Sequence, residues 1–209
     1  LANLETVSWT VLDDGEDQEV YGNYYPPTNP DFEASGRPPA ILMVHGGPTS
    51  QHPAEYEGRA QFFATRGYAV LDVNYRGSTG YGRDYRDALK GKWGEADVQD
   101  VVAGAEHLVD EGLADPDRLV VMGGSAGGYT VLQALVNHPG FFAAGISMYG
   151  ISNLFSLAMD THKFEQHYND TLVGSLPEAS DLFRERSPIF HADQIADPVG
   201  VFQGAEDKV

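Results

Sequence analysis

The sequence predicts an α/β fold built on a mostly parallel sheet with helices on both faces. Three observations carry this expectation. Short apolar runs such as AILMV, YAVLDV and RLVVM end in glycine or polar turns, the pattern of strands buried on both faces. Between them lie segments with apolar residues three and four apart, the clearest being EADVQDVVAGAEHLVDEG. The two kinds alternate along the chain, and such alternation builds parallel sheets covered by crossover helices.

Taken in order, Val7, Trp9 and Val11 alternate with Thr6, Ser8 and Thr10, a half-exposed strand. A turn at Asp14-Gly15 leads to a second strand over Glu19 to Tyr25, making a hairpin. Pro26 to Pro39 reads as loop, and AILMV as the first buried strand. Residues 54–66 read as helix closed by Gly67, YAVLDVNYRG as strand and GRDYRDALKG as a short helix. The long helix that follows puts Val98, Val101, Val102, Ala105, Leu108 and Val109 on one face. Glu95 and Asp97 suit its positive start, Gly112 closes it, and Asp97 and Asp100 are expected to be helix-start charge and solvated face. RLVVMGG, AGGYTVLQALVNH and FAAGISMYG then read as strand, helix and strand. Residues 151–197 are less periodic and read as a helical insertion, before a last strand in PVGVFQG.

Composition narrows the function classes. Thirteen Lys and Arg against 31 Asp and Glu give a net charge of −18. That balance argues against nucleic-acid or anionic-membrane partners, which need basic patches. It points instead to a high-salt cytoplasm, where salt screens self-repulsion. No cysteine is present, so thiolate chemistry is excluded. No apolar run reaches the ~18 residues of a membrane span. The start at Leu1 lacks the basic-then-apolar pattern of a secretory signal, and a cytoplasmic location is the expectation.

The chemistry is concentrated in loops that follow strands, where ligands bind in such folds. GGSAGG places Ser125 between Gly123 and Gly127 at a strand-to-helix turn. A serine there needs small neighbours, because strand and helix approach closely, and its hydroxyl stands above the sheet at a helix N-terminus. This predicts a nucleophile. HGGP, after the earlier strand, is expected to supply a second backbone donor for a developing oxyanion, the N–H of Gly47; the first is the N–H of Ala126. Pro48 has no N–H and only stiffens the loop. An acid is expected after a late strand, and both Asp207 and Glu206 fit that position.

HGGP, NYRGSTGYG, GGSAGGY and QGAEDKV, in this order and spacing, resemble the catalytic domain of the prolyl oligopeptidase family of serine peptidases. The branch most alike is that of acylaminoacyl and dipeptidyl peptidases, and the likeness runs from about residue 5 to the end. It implies an α/β-hydrolase fold over residues 1–209, incomplete at the C-terminus, with a size-filtering N-terminal β-propeller outside the chain. It implies Ser125 as nucleophile, Asp207 rather than Glu206 as triad acid, and Gly47 and Ala126 as oxyanion donors. His45 stands where some branches carry a tyrosine that assists the oxyanion; an imidazole does not inherit that role. His45, Tyr129 and Tyr149 are candidate walls of a substrate pocket, and the two tyrosines, with Phe155, suit the core equally well.

The resemblance places the catalytic histidine downstream of the acid, yet all seven histidines precede Asp207. His45 belongs to the oxyanion loop, His107 to a helix face expected to be solvated, and His138 to a helix end. His52, His162, His167 and His191 fall in loops or the insertion. His162 and His167 are five positions apart, about 140° around a helix, so they do not form a helical metal pair. Arg76 is expected to organise its loop through an ion pair. The resulting expectation is a serine peptidase acting on short or N-acylated peptides, without metal or cofactor. Residues 1–209 alone are expected to lack the base and the final strand and helix, to be nearly inactive, and to expose an open sheet edge. Oligomerisation of the intact parent is left open. A carboxylesterase of small esters and a non-catalytic binding protein of the same fold are the alternatives.

Overall fold

The computed structural model describes residues 1–160 and 166–207. Its seven-stranded sheet has the order β1-β2-β4-β3-β5-β6-β7. Strands β1 (Glu5–Asp13) and β2 (Glu16–Tyr25) form the predicted hairpin, and β2 pairs antiparallel with β4 (Ala69–Asn74). From β4 onward the sheet is parallel through β3 (Ala40–Val44), β5 (Leu119–Gly124), β6 (Ala144–Met148) and β7 (Val199–Phe202). The carboxyl ends of these five strands therefore share one edge of the molecule.

Period-two alternation divides the buried strands between two cores. In β3, Ala40, Leu42 and Val44 face one side while Ile41 and Met43 face the other. The larger core packs under α3 (Ala96–Asp110) and α4 (Ala126–Asn137), with Trp9, Leu71, Val101 and Leu135 among its members. The smaller one lies under α1 (Gly58–Ala64), with Tyr25, Ala60 and Val70. Helices on both faces follow from strands apolar on both faces. Helix α1 is shorter than residues 54–66 because Glu57 caps it, its Oε2 accepting the Ala60 N–H at 2.6 Å. Helix α2 spans Arg83–Asp87. The insertion is helical, with α5 (Leu154–Asp160), α6 (Gln166–Leu172), α7 (Ser180–Glu185) and a 3-10 turn over Pro188–Gln194. At the sheet edge, Val201 and Phe202 of β7 are 63% and 62% exposed.

Asp97 and Asp100 overturn the expectation of a solvated helix face, since both are 0% exposed. Asp97 accepts from the Gly94 N–H at 2.6 Å and the Thr130 hydroxyl at 2.6 Å, tying α3 to α4. Asp100 accepts from the backbone and guanidinium of Arg76, which is 1% exposed. Burial pushes both carboxyls up to about 6. The expected ion pair of Arg76 is thus buried, and the guanidinium also reaches Asp13 at 2.6 Å, so it joins the N-terminal hairpin to α3. Removing one partner strands the other in a dry site. Arg76→Ala is expected to lower unfolding free energy by about 3–5 kcal/mol. Lys92→Ala, which breaks a pair with the largely exposed Asp14 and one with Asp13, is expected to cost about 1 kcal/mol or less. Urea unfolding of the two variants checks the contrast.

Candidate active site

Ser125 occupies the turn between β5 and α4 with φ 56° and ψ −123°, a backbone region that side chains rarely adopt. Its N–H donates to Met148 O at 3.0 Å, and its own carbonyl accepts from Tyr129 N–H at 3.0 Å. These bonds from β6 and α4 hold the strained turn in place. The two glycines are required by contact as well as by curvature. A Cβ on Gly123 would stand 2.6 Å from the Gly127 backbone, and one on Gly127 would enter the Val44 carbonyl. The Ser125 side chain is half-buried at the head of α4, where helix N–H groups favour negative charge.

The loop after β3 runs alongside. A Cβ on Gly46 would lie 3.5 Å from Ser125 Cβ and 4.0 Å from its Oγ. Gly47, exposed and at φ 121°, is one residue further on. Neither the Gly47 nor the Ala126 N–H donates to an acceptor among the described residues. The Gly46-Gly47 loop and the head of α4 thus adjoin at the Ser125 turn. His45 does not stand on an open pocket wall: it is buried, with Nδ1 2.7 Å from Gly46 O and Nε2 2.7 Å from Ser78 Oγ. Burial holds its imidazole down to about 3, so the ring is neutral and its single proton serves one of these contacts.

The candidate pocket residues part company. Tyr129 is core: it is 0% exposed, its hydroxyl donates to Arg186 O at 2.8 Å and its ring lies 4.5 Å from Trp93. It faces the interior because α4 is buried on every side from Ala126 to Val136. Tyr149 is 51% exposed, at φ 42°, with its N–H on Phe202 O at 2.6 Å. Its ring covers Gly124, where a Cβ would meet it at 2.8 Å, so it stands beside the Ser125 turn. Phe155 packs on Phe183 and Phe190 of the insertion.

Asp207 is exposed in the turn after β7; its N–H donates to Gly204 O at 3.2 Å and Gln203 Nε2 donates to its Oδ2 at 2.9 Å. Parallel pairing puts it on the same sheet edge as Ser125, two strands away, a lateral step of about 10 Å. Glu206 shares that exposed turn. None of the described histidines bonds to Ser125. His107 is half-buried and stacks on Trp9 at 6.0 Å rather than facing solvent freely, and His138 is the cap of α4 against Phe141. His191 contacts Arg184 O at 3.2 Å. His162 and the side chain of His167 lie outside the described residues.

One pair escaped sequence reasoning. Half-buried His52, in the loop that follows HGGP, faces fully buried Asp72 of β4, with Nδ1 and Oδ2 3.8 Å apart. Asp72 interrupts the apolar run of β4 and faces the smaller core, the one signal that marked it in the sequence. Burial, reinforced by Glu57, raises the Asp72 carboxyl to about 7, while burial lowers His52 to about 4. The native state therefore holds the Asp72 proton at pH values where the unfolded chain, titrating near 3.8, has lost it. That contribution to stability is present below pH 4 and is lost as pH rises through 7. Asp72→Asn keeps a neutral group at all pH. Its gain in urea midpoint over wild type is expected to grow from pH 5 to pH 7 and level off above. A difference independent of pH contradicts this account.

Comparison with known proteins supplies an independent line. A sequence profile described as the prolyl oligopeptidase family matches residues 54–209. Dipeptidyl aminopeptidase BIII of Pseudoxanthomonas mexicana is 37% identical over 184 residues, covering 86% of this chain and 27% of that protein. The acylamino-acid-releasing enzyme of Arabidopsis thaliana is 34% identical, covering 81% of this chain and 23% of that protein. A puromycin-hydrolysing peptidase of Mycobacterium tuberculosis superposes with a TM-score of 0.90 at 45% identity, over 97% of this chain and 32% of its own. The chain spans about a quarter of the length of the curated relatives it matches. No helix among the described residues is long and apolar enough to cross a membrane.

Proposed function

The chain belongs to the prolyl oligopeptidase family, and from that premise we propose that it carries the acylating half of a serine peptidase active on short or N-acylated peptides. The observation that supports this most is the strained Ser125 turn at the head of α4, with Gly46-Gly47 alongside. In this reading Ser125 Oγ attacks the scissile carbonyl, and the carbonyl oxygen becomes an oxyanion between the Gly47 and Ala126 N–H groups. The serine proton passes to a histidine base, which returns it to the leaving amine as the acyl-enzyme forms. Water, activated by the same base, then releases the acid and restores Ser125. Asp207 orients that histidine and stabilises its charged form.

In this reading the base, the rest of the domain and a β-propeller belong to a longer protein, a view supported by the matched relatives, of which the aligned stretch is about a quarter. Residues 1–209 alone then turn over substrate at near-background rate. Tyr149, open beside Ser125, is the assigned pocket wall. The names of the relatives point to free or acylated peptide N-termini as the substrate class. Rates of the intact gene product on an N-acyl-alanine anilide and on a nitrophenyl ester test the reading. Cleavage of both agrees with it; cleavage of the ester alone assigns the site to a carboxylesterase.

A further inference from the structure

The loop that carries Gly47 is held along its length by one stretch of sequence, Asn74 to Thr79, to which Asn23 adds a bond at His52 O and Tyr168 one at the Thr49 N–H. Asn74 brackets the far end of the loop: its Oδ1 accepts the His52 N–H at 2.7 Å and its Nδ2 donates to His52 O at 3.0 Å. Thr79 N–H donates to Ser50 O at 2.8 Å. Ser78 Oγ lies 2.7 Å from His45 Nε2 and donates to Tyr75 O at 2.6 Å. Tyr75 stacks its ring on His45 at 4.3 Å and 16°. Its hydroxyl donates to His45 O at 3.2 Å and Pro48 O at 3.1 Å, the two carbonyls that flank Gly46-Gly47.

Two consecutive glycines have no side chains to fix their backbone, and Gly47 is exposed, so packing does not fix it either. The direction of the Gly47 N–H is set instead by its flanking peptide units. The carbonyl of the peptide unit that bears this N–H, Gly46 O, lies 2.7 Å from His45 Nδ1, and the carbonyls beyond it on either side, of His45 and Pro48, are pinned by one fully buried phenol, which burial keeps protonated. We propose that Tyr75 is a positioning residue: by clamping the carbonyls of His45 and Pro48 together, it aims the Gly47 N–H at the oxyanion of the proposed acyl transfer, with Ser78 as a second, weaker anchor through His45. This rests on the reading of Ser125 and Gly47 given above. Tyr75 touches no reacting atom. Its effect is confined to the transition state, because only there does the oxygen carry the charge that the donor must meet.

The test is Tyr75→Phe in the intact gene product, which removes one oxygen and keeps the ring. Misaiming a donor by a fraction of an ångström to an ångström is expected to lower kcat by about 10- to 100-fold. KM is expected to stay within about threefold, and affinity for a peptidyl trifluoromethyl ketone, whose hemiketal oxygen takes the oxyanion position, to fall in proportion to kcat. A folded Tyr75→Phe protein with kcat within about twofold of wild type, or with its loss entirely in KM, overturns the proposal. Should that variant not fold, Ser78→Ala carries the test, with a kcat loss of about threefold or more expected and an unchanged kcat overturning it. Ser125→Ala run in parallel separates the two levels. Retained activity there overturns the nucleophile reading and this proposal with it; loss there beside a wild-type rate in Tyr75→Phe overturns the clamp alone.

Discussion

Ser125→Ala in the intact gene product is expected to lower kcat on a peptide anilide by about 10⁵- to 10⁶-fold while leaving the fold intact. The side chain takes no part in holding its own turn: the backbone bonds to Met148 and Tyr129 do that, and alanine keeps both. In the proposed reading, what disappears is the atom that forms the acyl-enzyme, and no other group replaces it. A residual rate above that in water is expected from the oxyanion donors and substrate binding. Far-ultraviolet circular dichroism and the melting temperature show that the protein is folded. Turnover by the variant at about one-hundredth of the wild-type rate or above contradicts the assignment.

Asp207→Asn is expected to reduce kcat by about 10⁴-fold with little change in KM. The amide keeps the size of the carboxylate but cannot stabilise an imidazolium, and it favours the wrong tautomer of the histidine that the proposed triad places against it. The adjacent acid provides the control, since Glu206→Gln is expected to stay within about threefold of wild type. The reverse pattern assigns the triad acid to Glu206. Steady-state kinetics on one anilide substrate reads all three proteins.

Much of the fold was legible because burial writes a period into the sequence. The alternation of Trp9 and Val11 with Ser8 and Thr10 became a hairpin strand with the expected faces. The apolar runs at 40–44 and 119–124 became adjacent parallel strands. Polar residues were less legible, since a charge looks the same in sequence whether water or an arginine surrounds it. Asp100 needs Arg76 from a different loop before its burial makes sense, and Asp97 needs Thr130 from the next helix. Tyr129 shows the same limit: its phenol is satisfied by a carbonyl 57 positions away.

The site was legible where local backbone geometry dictates residue type. Gly123 and Gly127 are fixed by contacts within the turn and with β3, so a short motif reports them. The support of the HGGP loop was not legible, because it joins two motifs separated in sequence. NYRGST grips the loop from His45 to His52 through hydroxyl, amide and backbone groups, and neither stretch alone discloses the other as its partner. The same separation hid the pairing of His52 with the buried Asp72.

The account stands on the covalent chemistry of one hydroxyl, and the most direct test is to trap it. The intact gene product, treated with a fluorophosphonate and digested, is mapped by mass spectrometry. A single phosphonyl group is expected on the peptide containing Ser125, absent from Ser125→Ala. A folded protein that takes no label at Ser125, or takes it on another serine, contradicts the account.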